Sequence, residues 1–161
     1  MLKINQKVVD EIYRHAVKES PLEACGYLAG SDNTVFKNYA MTNIDKSTDH
    51  FTMDINEQFM VIKKAKNEGL KIIAVYHSHP NSPARLSEED RRLANDPGIS
   101  YVIVSIAENK LDIKSFKLKN RIFKEEKLKI IAGNAEYDSA KRNRRRVAGI
   151  CAATARIREL K

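Results

Sequence analysis

The sequence predicts a mixed α/β domain with a largely antiparallel sheet flanked by helices. Segments with helical spacing of apolar residues alternate with short strand-like stretches in the order α-β-β-β-α-β-α-β-β-β. One stretch, Ile72 to Tyr76, is a continuous apolar run, which is typical of a central strand buried on both faces. A chain of 161 residues is long enough for one such domain with a short appendage.

The first half of the chain contains two predicted helices with three strands between them. The first helix runs from Asn5, a suitable N-cap, to Lys18, and Ser20-Pro21 ends it. The second runs from Asp54 to Glu68, and we expect its apolar residues to face the core. These residues are Ile55, Phe59, Ile62 and Ala65. The strand-like stretches between the helices are 24–29, 35–44 and 50–53.

The second half begins with the predicted central strand, from Lys71 to His77. A short helix from Ser87 to Asn95 follows it. The remaining segments predict a hairpin, 99–107 with 111–118, and a last strand or extended arm over 121–131.

The composition is that of a globular protein, with 42% hydrophobic and 31% charged residues. No apolar run approaches the roughly 20 residues that span a bilayer, and the first residues lack the apolar core of a secretory signal. We therefore expect a cytoplasmic location and no membrane partner. Cys25 and Cys151 are far apart and form no CxxC pair, so reduced thiols are expected.

The net charge of +8 is concentrated in residues 133–161, where eight basic residues face three acidic ones and leave +5. The sequence therefore predicts a main domain over 1–132 and a basic, helical tail over 133–161, with apolar residues from Val147 to Ile157 at helical spacing. No aromatic residue follows Tyr137, which argues against nucleic-acid binding by base stacking. Such a helix can pack on the domain or on another copy, so a homo-oligomer stays open.

Two histidines at the end of the central strand predict a metal site. Because side chains alternate along a strand, His77 and His79 lie on one side, with Ser78 on the other. Asp90, ten residues after Pro80, offers a carboxylate from the next helix. Two His and one Asp give three protein ligands for zinc and leave a fourth position open, as in catalytic sites.

The same stretch also has simpler interpretations. Ser87 and Asp90 match a capping box, in which both side chains serve the start of a helix. With the histidines present, we favour the metal site. His15 and His50 are given no role, and Cys25 is interpreted as a small buried thiol rather than a nucleophile.

The motif H-S-H-P, six residues, Ser, two residues, Asp, which starts at His77, resembles the signature of the JAMM (MPN+) zinc metalloproteases. The stretch Pro21 to Gly30 resembles the first strand of that family, and the resemblance covers about residues 1–118. It implies a fold that is similar in outline to the deaminases, and one zinc per chain held by His77, His79 and Asp90. It further implies that Glu23 is the general base and that Ser87 donates to the oxyanion.

The short loops resemble the compact, prokaryotic stand-alone members of the family. This resemblance implies a peptidase or isopeptidase that cleaves after the C-terminal Gly-Gly of a ubiquitin-like or sulfur-carrier protein by attack of a zinc-activated water. The alternative is a non-catalytic MPN scaffold that binds protein partners, but such scaffolds usually lack a metal ligand. A zinc deaminase is set aside, because it requires H-x-E and a later P-C-x-x-C.

Overall fold

The computed structural model describes residues 1–132, so the predicted helical tail over 133–161 lies outside the described residues. Three α-helices lie in the described part: α1 (Gln6–Glu19), α2 (Ile55–Asn67) and α3 (Glu88–Leu93). The strands of the same part are β1 (Leu2–Asn5), β2 (Cys25–Ser31), β3 (Thr34–Met41), β4 (Lys71–His79), β5 (Ser100–Ser105), β6 (Asp112–Lys119), β7 (Ile122–Glu126) and β8 (Leu128–Ile131). None of these helices is long and apolar enough to cross a membrane.

All eight strands join one sheet in the order β7-β6-β5-β4-β2-β3-β1-β8. Four of the seven pairings are antiparallel, which confirms the predicted mixed α/β fold with a largely antiparallel sheet. Strands β7 and β8 occupy opposite edges although Lys127 alone separates them in sequence. The sheet must therefore curve until its two edges approach each other.

The structure differs from the predicted strands at three places. Residues 2–5 form a strand that the sequence did not indicate, and the predicted last strand over 121–131 is divided into β7 and β8. Residues 50–53 form no strand, and their one ladder contact is an isolated bridge between Met53 and Asn43. Short strands depend on partners that are distant in sequence, so local patterns detect them poorly.

Helix α1 packs on one face of the sheet and closes the main core. It begins as predicted, because the Asn5 side chain accepts a hydrogen bond from the Lys7 N–H at 3.0 Å. Its residues Val8, Val9 and Ile12 share the core cluster with Leu28 of β2 and Tyr76 of β4, and Ala16 of the same helix is also buried.

The predicted orientation of helix α2 is wrong. Ile55, Phe59 and Ile62, which were expected to face inward, are 63%, 68% and 47% exposed, whereas Ala65 is buried as expected. The helix turns its neighbouring face, with Val61 and Ala65, toward the sheet. An apolar stripe shows that a helix is amphipathic, but the shape of the facing sheet decides which face of the helix is buried.

Strand β4 lies inside the sheet, antiparallel to β2 and parallel to β5. Alternation places Tyr76 on the α1 face, and Val75 and His77 on the opposite face. Cys25, the first residue of β2, pairs with His77 near the end of β4. This register brings the residues just before β2 beside the residues that end β4.

Candidate metal centre and active site

His77 and His79 point to the same side of β4, as alternation predicts. Their Nε2 atoms are 3.1 Å apart, and the two side chains are only 6% and 7% exposed. The Nδ1 atom of His79 lies 3.1 Å from the carbonyl oxygen of Pro83 and 3.2 Å from Oγ of Ser82. A proton on Nδ1 can serve those oxygens, which leaves the Nε2 lone pair of His79 free to bind a metal.

Asp90 reaches the histidines from the first turn of α3. Its Oδ1 is 3.1 Å from Nε2 of His77, and its Oδ2 is 3.7 Å from Nε2 of His79. Ser87 donates to Oδ2 through its backbone N–H at 2.8 Å and its hydroxyl at 2.7 Å, and Ser87 Oγ accepts from the Asp90 N–H at 3.0 Å. The capping box therefore exists as well, but it occupies mainly Oδ2, while Oδ1 faces His77.

Glu23 completes the cluster from the segment before β2. Its Oε1 lies 3.8 Å from Nε2 of His79, and its ligand atom and those of the two histidines all fall within 4.8 Å of one another. The residue is 3% exposed, and burial raises the pKa of its carboxyl to about 7. A carboxylate with this pKa can take up and release a proton near neutral pH.

Three residues that support this cluster were given no role by the sequence. Ser78, on the other side of β4, accepts from the Ala24 N–H through Oγ at 2.8 Å, next to Glu23. The Phe51 ring stacks on His77 with centroids 4.8 Å apart. Asn43 donates to the Glu23 carbonyl at 3.1 Å. Phe51 had been assigned to a strand, and no local pattern marks any of these contacts.

Three other residues that could carry chemistry do not complete the cluster. His15 is on the α1 face, where its Nδ1 is 2.8 Å from the hydroxyl of Tyr76. Cys25 is buried, as interpreted, and burial raises the pKa of its thiol to about 12, so it stays protonated. Glu19 pairs with Lys18 at 3.2 Å at the end of α1.

A cleft of about 430 Å³ opens beside His77 and Asp90. Its walls are mainly apolar and include Phe51, Met53, Val75, Leu86, Ile99 and Tyr101. The charged residues on its lining are acidic, namely Asp49, Glu89, Asp90 and Asp96. The lining of this cleft includes His50 but no Lys or Arg from the described part of the chain.

Residues 5–119 match the protein family described as prokaryotic homologs of the JAB domain. The chain belongs to this family. The match covers the residues of the cluster and most of the sheet, and it confirms the predicted family.

Two curated relatives of this prokaryotic JAB protein are named as a peptidase and a desampylase, which confirms the predicted enzyme class. The chain is 28% identical over 134 residues to the CysO-cysteine peptidase of Mycobacterium tuberculosis, covering 81% of this chain and 92% of that protein. It is 34% identical over 74 residues to the desampylase of Pyrococcus furiosus, covering 46% of this chain and 53% of that protein.

Solved structures show the same fold. The solution structure of protein DSY2949 from Desulfitobacterium hafniense superimposes with a TM-score of 0.75 at 37% identity, over 83% of this chain and 94% of that one. A structure described as a metalloprotease-like zinc site, JAMM, in the proteasome and signalosome superimposes with a TM-score of 0.54 at 21% identity, over 81% and 98%. The predicted cofactor, zinc, agrees with the family and with the imidazole and carboxylate donors of the cluster.

Proposed function

We propose that this prokaryotic JAB protein is a zinc peptidase or isopeptidase that cleaves after the C-terminal Gly-Gly of a ubiquitin-like or sulfur-carrier protein. The observation that carries the proposal is the convergence of His77, His79, Asp90 and Glu23 beside an open cleft. The names of the relatives, a CysO-cysteine peptidase and a desampylase, support this substrate class.

The donor atoms fit a zinc ion held by His77, His79 and Asp90. With bonds of about 2.0–2.1 Å, two ligand atoms of a tetrahedral site lie about 3.3 Å apart. The observed separations are 3.1 Å between the two Nε2 atoms and 3.1 Å from Nε2 of His77 to Oδ1 of Asp90. Nε2 of His79 lies 3.7 Å from the other carboxylate oxygen, Oδ2. Small side-chain movements suffice to bind the ion, and three ligands leave a fourth position for the reaction.

Zinc, when bound, supplies a Lewis acid that makes water nucleophilic near neutral pH. The Glu23 carboxylate takes the proton from the attacking water and passes it to the leaving amine, a role that suits its raised pKa. Ser87 is the N-cap of α3, and its hydroxyl donates to Asp90 in this structure. During the reaction this hydroxyl donates to the developing oxyanion instead.

The cleft offers a place for the carrier's C-terminal tail. It borders His77 and Asp90, whereas Glu23 lies on the His79 side. If Glu23 serves the leaving amine, the acyl half of the substrate extends away from Glu23, along the cleft. The apolar walls and acidic lining suit a tail with apolar residues and without net negative charge.

The test is cleavage of ubiquitin-like carriers that are extended beyond Gly-Gly, either by a short peptide or through an isopeptide bond to lysine. We expect zinc-dependent release of the extension, which a chelator stops and added zinc restores. Glu23→Gln should retain zinc and lose nearly all turnover, while the matched control Glu19→Gln should keep it.

Wild-type turnover by Glu23→Gln would refute its assignment as the base. Zinc-loaded protein that binds the carriers but cleaves none of them would indicate the non-catalytic scaffold instead. The cytoplasmic location and the oligomeric state stay predictions.

A further inference from the structure

The side chain of Asn43 uses all four of its hydrogen-bonding positions in the segment next to Glu23. Its Nδ2 donates to the carbonyl oxygens of Glu23 and His50, at 3.1 Å each. Its Oδ1 accepts from the backbone N–H groups of Asp45 and Thr52, at 3.2 Å each. An amide has two donor hydrogens and two acceptor lone pairs, a set that only Gln shares, and the Gln side chain is one methylene longer.

These contacts matter because Glu23 lies before the first ladder residue of β2. Its backbone is held by the 43–53 loop on both sides: its N–H donates to the Ser47 carbonyl at 2.8 Å, and its carbonyl accepts from Asn43. The position of the Glu23 carboxylate relative to His79 therefore depends on the conformation of this loop.

The same loop also reaches the histidine pair from the other side. Phe51 stacks on His77, and it stands between His50 and Thr52, two of the four residues whose backbone groups bond to the Asn43 side chain. Asn43 thus connects the segment that carries Phe51 with the backbone of Glu23.

We propose that Asn43 is a positioning residue, which holds Glu23 and Phe51 in register with His77 and His79. The inference rests on the proposed function for its effect on turnover, while its effect on the loop is independent of that function. Because a misplacement of about 1 Å can cost about 100-fold in rate, losing this clamp should lower kcat by about 10- to 100-fold.

The test compares three variants of the full-length, zinc-loaded chain. Asn43→Ala removes every contact. Asn43→Asp keeps the acceptor for Asp45 and Thr52 but loses both donors. Asn67→Ala, at the exposed end of α2, is the matched control. We expect both Asn43 variants to lose kcat, while KM stays within about threefold of the wild type and one zinc per chain is retained. The assays are run at temperatures below the onset of unfolding of each variant.

Amide hydrogen exchange gives a readout that needs no substrate. The Glu23 amide should exchange faster in both Asn43 variants. The Asp45 and Thr52 amides should lose protection in Asn43→Ala only.

Unchanged exchange at Glu23 in both variants overturns the inference, as does unchanged kcat where the wild type is active. Equal fractional loss of activity and of folded protein would also overturn it, because it would show a general structural role. A wild type that cleaves none of the carriers would contradict the proposed function, while the exchange result would still decide whether Asn43 holds Glu23.

Discussion

Burial of Glu23 should make the metal-free protein lose stability as the pH rises. The pKa of this carboxyl is raised from 4.5 to about 7, mainly by desolvation. The folded state therefore binds the proton more tightly than the unfolded state. The resulting stabilisation is fully present below pH 4.5 and is lost as the pH rises through about 7.

The magnitude follows from the pKa change, since each tenfold change in proton affinity is worth about 1.4 kcal/mol. A shift from 4.5 to about 7 corresponds to about 3 kcal/mol, and because Glu23 is 3% exposed, solvent screens little of it. Glu23→Gln carries no ionisable group. The unfolding free energy of the wild type should therefore fall relative to that of the variant between pH 5 and pH 8, until the variant is more stable by about 3 kcal/mol.

Urea unfolding of chelator-treated wild type and Glu23→Gln at pH 5, 6, 7 and 8 measures this difference. Glu19→Gln is the control, because Glu19 is 36% exposed and pairs with Lys18 at the end of α1. A Glu23→Gln effect that is the same at all four pH values would refute the reasoning. Loading with zinc should shrink the difference, because the ionised carboxylate then faces a cation.

Further predictions concern the metal, the oxyanion donor, the tail and helix α2. His77→Ala should lose most of its zinc by elemental analysis, and full occupancy would contradict its assignment as a ligand. Ser87→Ala should lose about 100- to 1,000-fold in turnover but only about 1 kcal/mol in unfolding free energy from the lost cap; equal turnover would remove Ser87 from the mechanism. Truncation after Ile131 should leave a folded, active, zinc-loaded enzyme, and any loss should be confined to KM and be erased by salt, whereas a loss of kcat would assign the tail to the active site. Phe59→Ser should change the unfolding free energy by less than about 0.5 kcal/mol, because the ring is 68% exposed; a larger loss would show that this face of α2 is covered.

The proximity of His77, His79 and Asp90 could be predicted from the sequence because their relation is local. Alternation in a strand puts His77 and His79 on one side, and Asp90 follows at a short distance on the helix that Ser87 caps. The capping box and the metal site looked like competing interpretations of Asp90. In the structure, Oδ1 of Asp90 faces His77 while Oδ2 accepts from Ser87, a distinction that only the three-dimensional arrangement reveals.

Glu23 is separated from His77 by more than fifty residues, and only the resemblance to a family indicated it in the sequence. The pairing of Cys25 with His77 is what brings Glu23 to the histidines. The hydrogen bond from Asn43 to Glu23 and the stacking of Phe51 on His77 are contacts of the same kind. Each joins segments that are distant in sequence, so no local sequence pattern predicts it.

Helix α2 separates what the local sequence determines from what the tertiary structure decides. Its sequence determined that a helix forms, that Asp54 caps it and that one face is apolar. Only the tertiary structure decided that Ala65, rather than Phe59, meets the sheet. Hydrogen-bond periodicity and capping act within a few residues, whereas burial depends on the shape of a surface that distant strands build.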